Sequence, residues 1–282
     1  MTTRQAVKFG LPVLGFIYGS VVSLTFPDRT APLWLVWMAF AIAASTAAGA
    51  LCAYGLSRWR ELKKLNEIYV HDVRRPVAAL VVGSLVLMNV TVFFPGPSHL
   101  NLRGGLIGMF AIVAAIPAAG VMYGVWHVAS SEGRPRTRGG QVELLFALRR
   151  LVQRLLAAAG SVVALTTFTA GAWWLLERSL HAEYGNRPPQ SVLIFGAFGS
   201  TLVGLVYGPA WTALQRRGRL LCDELFPLGK LNEQAAILSR ATDRQRLEQM
   251  LGLDRGIFAD LQGGLIILAP LLASGVAALL PH

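Results

Sequence analysis

The chain has 282 residues, of which 54% are hydrophobic and 15% are charged. Soluble globular domains carry about a quarter charged residues, so this composition argues against an ordinary soluble protein and equally against a disordered chain. Two cysteines are too few for a disulfide-framed secreted scaffold. The formal charge of +11 indicates either an anionic partner or basic loops retained on one side of a membrane.

Seven stretches are long and apolar enough to cross a bilayer as helices, a crossing that takes about 20 residues. In chain order they are 9–26, 33–56, 77–95, 105–128, 155–176, 191–214 and 263–280. None of them contains Lys, Arg, Asp or Glu, whereas a helix of a soluble protein keeps a charged outer stripe. The pattern predicts an all-α polytopic transmembrane bundle of seven spans, with a six-span membrane core over residues 1–214.

The basic residues lie on alternate connections of this bundle. Segments 1–8, 57–76, 129–154 and 215–262 hold 22 of the 26 Lys and Arg residues. Because basic loops stay in the cytoplasm, we expect a multi-pass protein of the inner (plasma) membrane with a cytoplasmic N-terminus and an external C-terminus. The excess of arginine over lysine is typical of a bacterial genome rich in G and C. All seven tryptophans lie near span ends, where we expect them to anchor at the membrane interface.

Two basic segments have helical patterns of their own. Segment 57–76 predicts a short amphipathic helix on the inner surface of the membrane. Segment 215–262 predicts a small helical cytoplasmic cap between spans six and seven. Within it, the sequence from Thr242 to Gln245 resembles a capping box that begins a helix, and Gly252 is placed to end it.

Small residues recur at the four-residue spacing that lets helices approach closely in lipid. The pairs are Gly15 and Gly19, Gly120 and Gly124, and Gly204 and Gly208. They predict contacts between helices of one subunit, or contacts between copies in a homo-oligomer or with a partner subunit of the membrane.

Prolines inside the predicted spans make three candidate helix breaks, at Pro117, Pro209 and Pro270. A break would expose backbone groups to a substrate, whereas an ordinary kink would need no function. Tyr207, which precedes Gly208 and Pro209, is therefore a candidate to line a cavity.

Two polar residues near or within the apolar stretches are candidates to line a pore or cavity. Asn89 lies in the third stretch, where an interhelical hydrogen bond is the alternative role. Asp260 lies just before the seventh stretch, where it could instead stabilise the first turn of that helix. Thr166, Thr167 and Thr169 are predicted to bond to their own helix backbone.

Two arginine groups on predicted cytoplasmic segments are candidates to bind anionic lipids of the inner leaflet or another anionic ligand. They are Arg134, Arg136 and Arg138, and Arg216, Arg217 and Arg219. Because topology accounts for the basic excess, we expect no nucleic-acid partner.

The sequence contains no phosphate-binding loop, nucleophile elbow, metal-ligand spacing or dinucleotide fingerprint, so we predict no catalytic residue, no metal and no cofactor. The leading hypothesis is a non-enzymatic channel or pore, or a subunit of a membrane complex, regulated through its basic cytoplasmic segments. The alternatives are a small-solute transporter with proline-broken helices and an intramembrane enzyme that acts on a lipid at the inner interface.

Overall fold

The computed structural model describes most of the chain, and all of its regular structure there is α-helical. The described residues are 3–26, 29, 31, 33–65, 70–92, 98–131, 137–180, 190–227 and 234–254. Their seven helices are α1 (Thr3–Leu24), α2 (Trp34–Leu65), α3 (Val70–Val92), α4 (Ser98–Ser130), α5 (Arg138–Leu180), α6 (Gln190–Leu225) and α7 (Gln234–Leu251). The predicted all-α class is confirmed.

Three described helices contain a stretch that is long and apolar enough to cross a membrane. These stretches are Trp34–Lys63 in α2, Arg103–Ser130 in α4 and Arg138–Leu180 in α5. The apolar run of α1, Phe9–Leu24, is shorter, and the spans predicted over α3 and α6 are not among the three. The predicted span 263–280 lies outside the described residues, and α7 belongs to the predicted cap, so a total of seven spans stays a prediction.

Several helices continue well past the apolar stretches from which they were predicted. Helix α5 has 43 residues, or about 65 Å at 1.5 Å per residue, which is about twice the thickness of the hydrocarbon layer. It begins where the Thr137 hydroxyl accepts a hydrogen bond from the Gly140 amide at 3.3 Å. The separate surface helix predicted at 57–76 is wrong, because α2 continues to Leu65 and α3 begins at Val70.

The predicted end of α7 is confirmed, and its predicted start is wrong. The helix begins at Gln234, and the Thr242 hydroxyl donates to the Leu238 carbonyl inside it at 2.9 Å instead of capping it. Gly252 has a φ of 62°, and its amide donates to the Gln249 carbonyl at 2.9 Å. The next amide donates to the Glu248 carbonyl, which completes a Schellman end that only glycine adopts without strain.

Helices α2 and α4 form the centre of the bundle, and α1 packs against α2 backbone to backbone. A Cβ atom added to Gly15 would lie 2.2 Å from the Ser45 carbonyl oxygen, and one added to Gly19 would lie 2.9 Å from the Ile42 Cα. This first glycine pair therefore makes the predicted contact within the subunit. A Cβ added to Gly120, Gly204 or Gly208 would meet no described atom within 4 Å beyond the neighbouring residues of its own helix.

The bundle end near the α1–α2 connection has a buried aromatic cluster. The Phe26, Trp37 and Trp173 rings lie 4.8–6.0 Å apart between centroids, and Trp37 is fully buried. The Arg103 guanidinium donates to the Thr25 carbonyl at 2.8 Å and lies over the Phe26 ring. Trp37 and Trp173 therefore pack inside the bundle, and the prediction that they anchor at the membrane interface is wrong.

Candidate functional site

An apolar cleft of about 130 Å³ lies between α3 and α6, with α4 and α5 as its floor. Helix α4 packs against both α3 and α6 and separates them. The floor is lined by small side chains, among them Ala111, Ala115 and Ala159, whereas the α6 wall carries Phe195 and Phe198. Because the alanines end at Cβ, they leave space that the larger side chains of the two walls do not fill.

In the described part of the chain, two hydroxyl side chains line this cleft, and both already donate their protons. The Ser84 hydroxyl donates to the Leu80 carbonyl at 2.7 Å, and the Thr166 hydroxyl lies 2.9 Å from both the Val162 and Val163 carbonyls. The predicted self-bonding of Thr166, Thr167 and Thr169 is confirmed. The side chains of the cleft therefore present hydrocarbon, with no hydroxyl proton left for a polar ligand.

Of the three predicted pore or cavity residues, the structure describes the side chain of Tyr207 alone. Tyr207 is 1% exposed and lies in the main apolar core, outside the cleft lining. Asn89 lies near the end of α3, and its side chain falls outside the description. Asp260 lies outside the described residues.

The two described prolines of the predicted breaks lie inside continuous helices. Pro117 is within α4 and Pro209 is within α6, so neither proline ends a helix here. At Pro117 the α4 backbone comes close to α2, because a Cβ added to Gly55 would lie 2.8 Å from the Pro117 carbonyl carbon. Pro270 lies outside the described residues.

The described members of the two predicted arginine groups lie at the end of the bundle near α7. Arg216 and Arg219 are exposed and Arg217 is half-buried, all three on the last turns of α6. Arg138 is exposed and is the first residue of α5. Arg134 and Arg136 lie outside the described residues.

Sequence reasoning missed an arginine that attaches α7 to α5. Arg149 of α5 donates to the Leu251 carbonyl and, at 2.8 Å, to the Gly252 carbonyl at the end of α7. A guanidinium at a helix C-terminus satisfies carbonyls that have no partner within the helix, and its charge complements the helix dipole. In the sequence Arg149 is one of several basic residues in this region, and only the fold shows which of them contacts α7.

A second contact joins α7 to α6. Arg244 of α7 pairs with Asp223 of α6 at 2.8 Å and with Glu248 of its own helix at 2.8 Å. Cys222, a free thiol that is fully buried beside this contact, has its pKa raised by burial and by the negative charge of Glu248. The hydrogen bond that Arg244 donates to Glu248 raises the pKa of the Arg244 guanidinium, which stays charged.

Within the described residues, no group of three or more His, Cys, Asp or Glu side chains is placed to hold a metal ion. Comparison with models of protein families, with curated proteins and with solved structures finds no match for this chain. Fold and cleft together define the class: an α-helical protein with membrane-length apolar helices around an apolar cleft.

Proposed function

We propose that this chain is a non-enzymatic integral membrane protein that holds the hydrocarbon chain of a membrane lipid in the α3–α6 cleft. The observation that carries the proposal is the lining of the cleft: among the described residues, Ser84 and Thr166 are its only polar side chains, and both donate to carbonyls of their own helices. In other proteins, apolar cavities of similar size, about 150 Å³, stay free of water and accept an apolar guest. In a bilayer the most abundant such guest is an acyl chain.

Lipid binding fits the proposed placement in the membrane. The three membrane-length helices α2, α4 and α5 support insertion, and the distribution of Lys and Arg supports a multi-pass topology with the N-terminus in the cytoplasm. Location in the plasma membrane of a bacterial cell belongs to the same proposal.

A subunit of a membrane assembly fits this cleft better than a channel or transporter for hydrated solutes. A hydrated ion in the cleft would lose water contacts without gaining protein partners, and apolar constrictions of this kind resist wetting. A polar solute would need donors or acceptors on the lining, where the two hydroxyl protons are engaged with their own helices.

The test is photo-crosslinking in nanodiscs of phosphatidylcholine that carries a diazirine near the end of one acyl chain. After irradiation and peptide mapping, we expect adducts concentrated on residues 108–122 of α4 and 195–206 of α6, which line the cleft. An Ala115→Phe variant places a ring in the cleft and should lose most of these adducts. Ala157→Phe, on the exposed side of α5, is the matched control and should keep them.

Two results would contradict the proposal. One is an even spread of adducts over outward-facing side chains, such as those of α1, that Ala115→Phe does not alter. The other is chemical conversion of the bound lipid by the purified protein, which would support the alternative of an enzyme that acts on lipids.

A further inference from the structure

Both walls of the cleft carry arginine where they continue toward the α7 end of the bundle. Arg74 of α3 is seven residues, or about two turns, before the cleft residue Val81, so the two share a face of the helix. Arg217 of α6 is eleven residues, or about three turns, after the cleft residue Val206, and again the two share a face. Arg216 lies beside Arg217 on the same turn.

The two walls reach the same end of the bundle. Val73 of α3 and Leu221 of α6 are both buried in the core cluster that also contains Leu62 at the end of α2 and Leu251 at the end of α7. The connections between successive helices from α3 to α6 have at most nine residues, too few to run back along the 33 to 43 residues of α4, α5 and α6, so these helices alternate in direction. The start of α3, with Arg74, and the end of α6, with Arg217, therefore lie at the same end of the bundle, one on each wall of the cleft.

The distance from the arginines to the cleft matches the length of a lipid chain. Eleven residues of α6 span about 16 Å, and half of the hydrocarbon layer is about 15 Å thick. A phosphate held at Arg217 would place the end of its acyl chain near Val206, at the α7-side limit of the cleft lining on α6.

These arginines are accessible, and protein carboxylates do not neutralise them in the part of the chain that the structure describes. Arg74 and Arg216 are exposed and Arg217 is half-buried. The ion pairs between described residues are made by Arg58 and Arg244, and none includes Arg74, Arg216 or Arg217. Guanidinium groups bind phosphate oxygens in a two-pronged geometry that lysine does not offer.

We propose that the lipid is an anionic phospholipid of the leaflet on the α7 side, with its headgroup between Arg74 of α3 and Arg216 and Arg217 of α6. This inference rests on the proposed function, since the end of the same lipid's acyl chain enters the cleft at Val206. Net negative charge selects the lipid, and the apolar lining accepts its chain.

The experiment is native mass spectrometry of the detergent-purified full chain titrated with phosphatidylglycerol or with phosphatidylcholine of the same acyl chains. We expect wild type to bind phosphatidylglycerol preferentially, with the preference falling as salt rises. The double variant Arg74→Gln, Arg217→Gln should weaken phosphatidylglycerol binding by more than about tenfold, at about fivefold for each arginine, and leave phosphatidylcholine binding unchanged. The control variant Arg150→Gln, Arg154→Gln removes the same charge from exposed positions of α5 and should keep the preference.

The results separate this inference from the proposed function. Equal binding of the two lipids by wild type, or equal losses in the double variant and its control, would overturn the headgroup site. If crosslinks from phosphatidylcholine chains still mapped to the cleft, the proposed function would stand without it. Loss of those crosslinks from the cleft would overturn both.

Discussion

Gly15 shows how a single hydrogen side chain determines whether two helices can pack. A Cβ atom at this position would lie 2.2 Å from the Ser45 carbonyl oxygen, which belongs to the backbone of α2 and cannot rotate away. We expect Gly15→Ala to force α1 off α2 and to lower stability by about 1–3 kcal/mol, measured as a lower thermal unfolding midpoint in detergent.

Gly10 is the matched control on the same helix, because an added Cβ would meet no described atom within 4 Å beyond its own turns of α1. Alanine is a better helix former than glycine, so Gly10→Ala should leave the midpoint unchanged or raise it. Equal shifts in the two variants would show that α1 does not pack against α2 as the structure has it.

Glycine spacing predicted close helix contacts, and tryptophan position predicted a place near the span ends, but neither pattern identified the residues in contact. The spacing of Gly15 and Gly19 is the same as that of Gly204 and Gly208, but only the first pair meets a neighbouring backbone among the described residues. Similarly, Trp37 lies near the end of an apolar stretch and is buried against Phe26 and Trp173. One sequence shows which residues permit close contact, but the direction each helix faces depends on all the others.

At the scale of elements, the attachment of α7 depends on Arg149. Its guanidinium donates to the carbonyls of Leu251 and Gly252, and hydrogen bonds of a charged group are worth about 1.5–3 kcal/mol. We expect Arg149→Gln to speed hydrogen exchange of the α7 amides, measured by mass spectrometry, with the amides of α4 unaffected. Arg150→Gln, at the adjacent exposed position, should leave hydrogen exchange in α7 as it is in wild type. If Arg150→Gln accelerated α7 exchange as much as Arg149→Gln does, the lost charge and not the two hydrogen bonds would explain the effect.

Cys222 reports on the same attachment through its reactivity. The thiol is fully buried, and burial raises its pKa, so at neutral pH it carries less thiolate than a free cysteine. In a Cys52→Ala background we expect slow maleimide labelling whose rate rises through a pH midpoint above that of the denatured chain. Arg244→Gln breaks the pair with Asp223 and also removes a positive charge that lowers the pKa of the thiol. We expect the loss of cover by α7 to outweigh this charge effect, so that labelling accelerates. A rate equal to that of the denatured chain in the otherwise native protein would mean that α7 does not cover this cysteine.

Hydropathy located the apolar part of most helices and underestimated their length. Hydropathy placed the apolar span of this region at 155–176, whereas α5 begins at Arg138, because arginine, glutamate and glutamine favour helices but do not raise hydropathy. The cleft could not be predicted at all. Its floor needs Ala115 of α4 and Ala159 of α5 to face the same space, and sequence patterns do not contain that pairing.

At the scale of the whole molecule, the proposed threading makes a prediction that two single cysteines can test. Arg29 lies between α1 and α2, Gly139 lies in the first turn of α5, and both are exposed. The positive-inside rule assigns these two positions to opposite sides of the membrane. In a chain without Cys52 and Cys222, a membrane-impermeant maleimide should label Arg29→Cys but not Gly139→Cys in intact cells. Inverted membrane vesicles should give the reverse, and detergent should make both sites reactive. Labelling of both from one side would place these two positions on the same face, and the basic end of the cleft would then have no assigned leaflet.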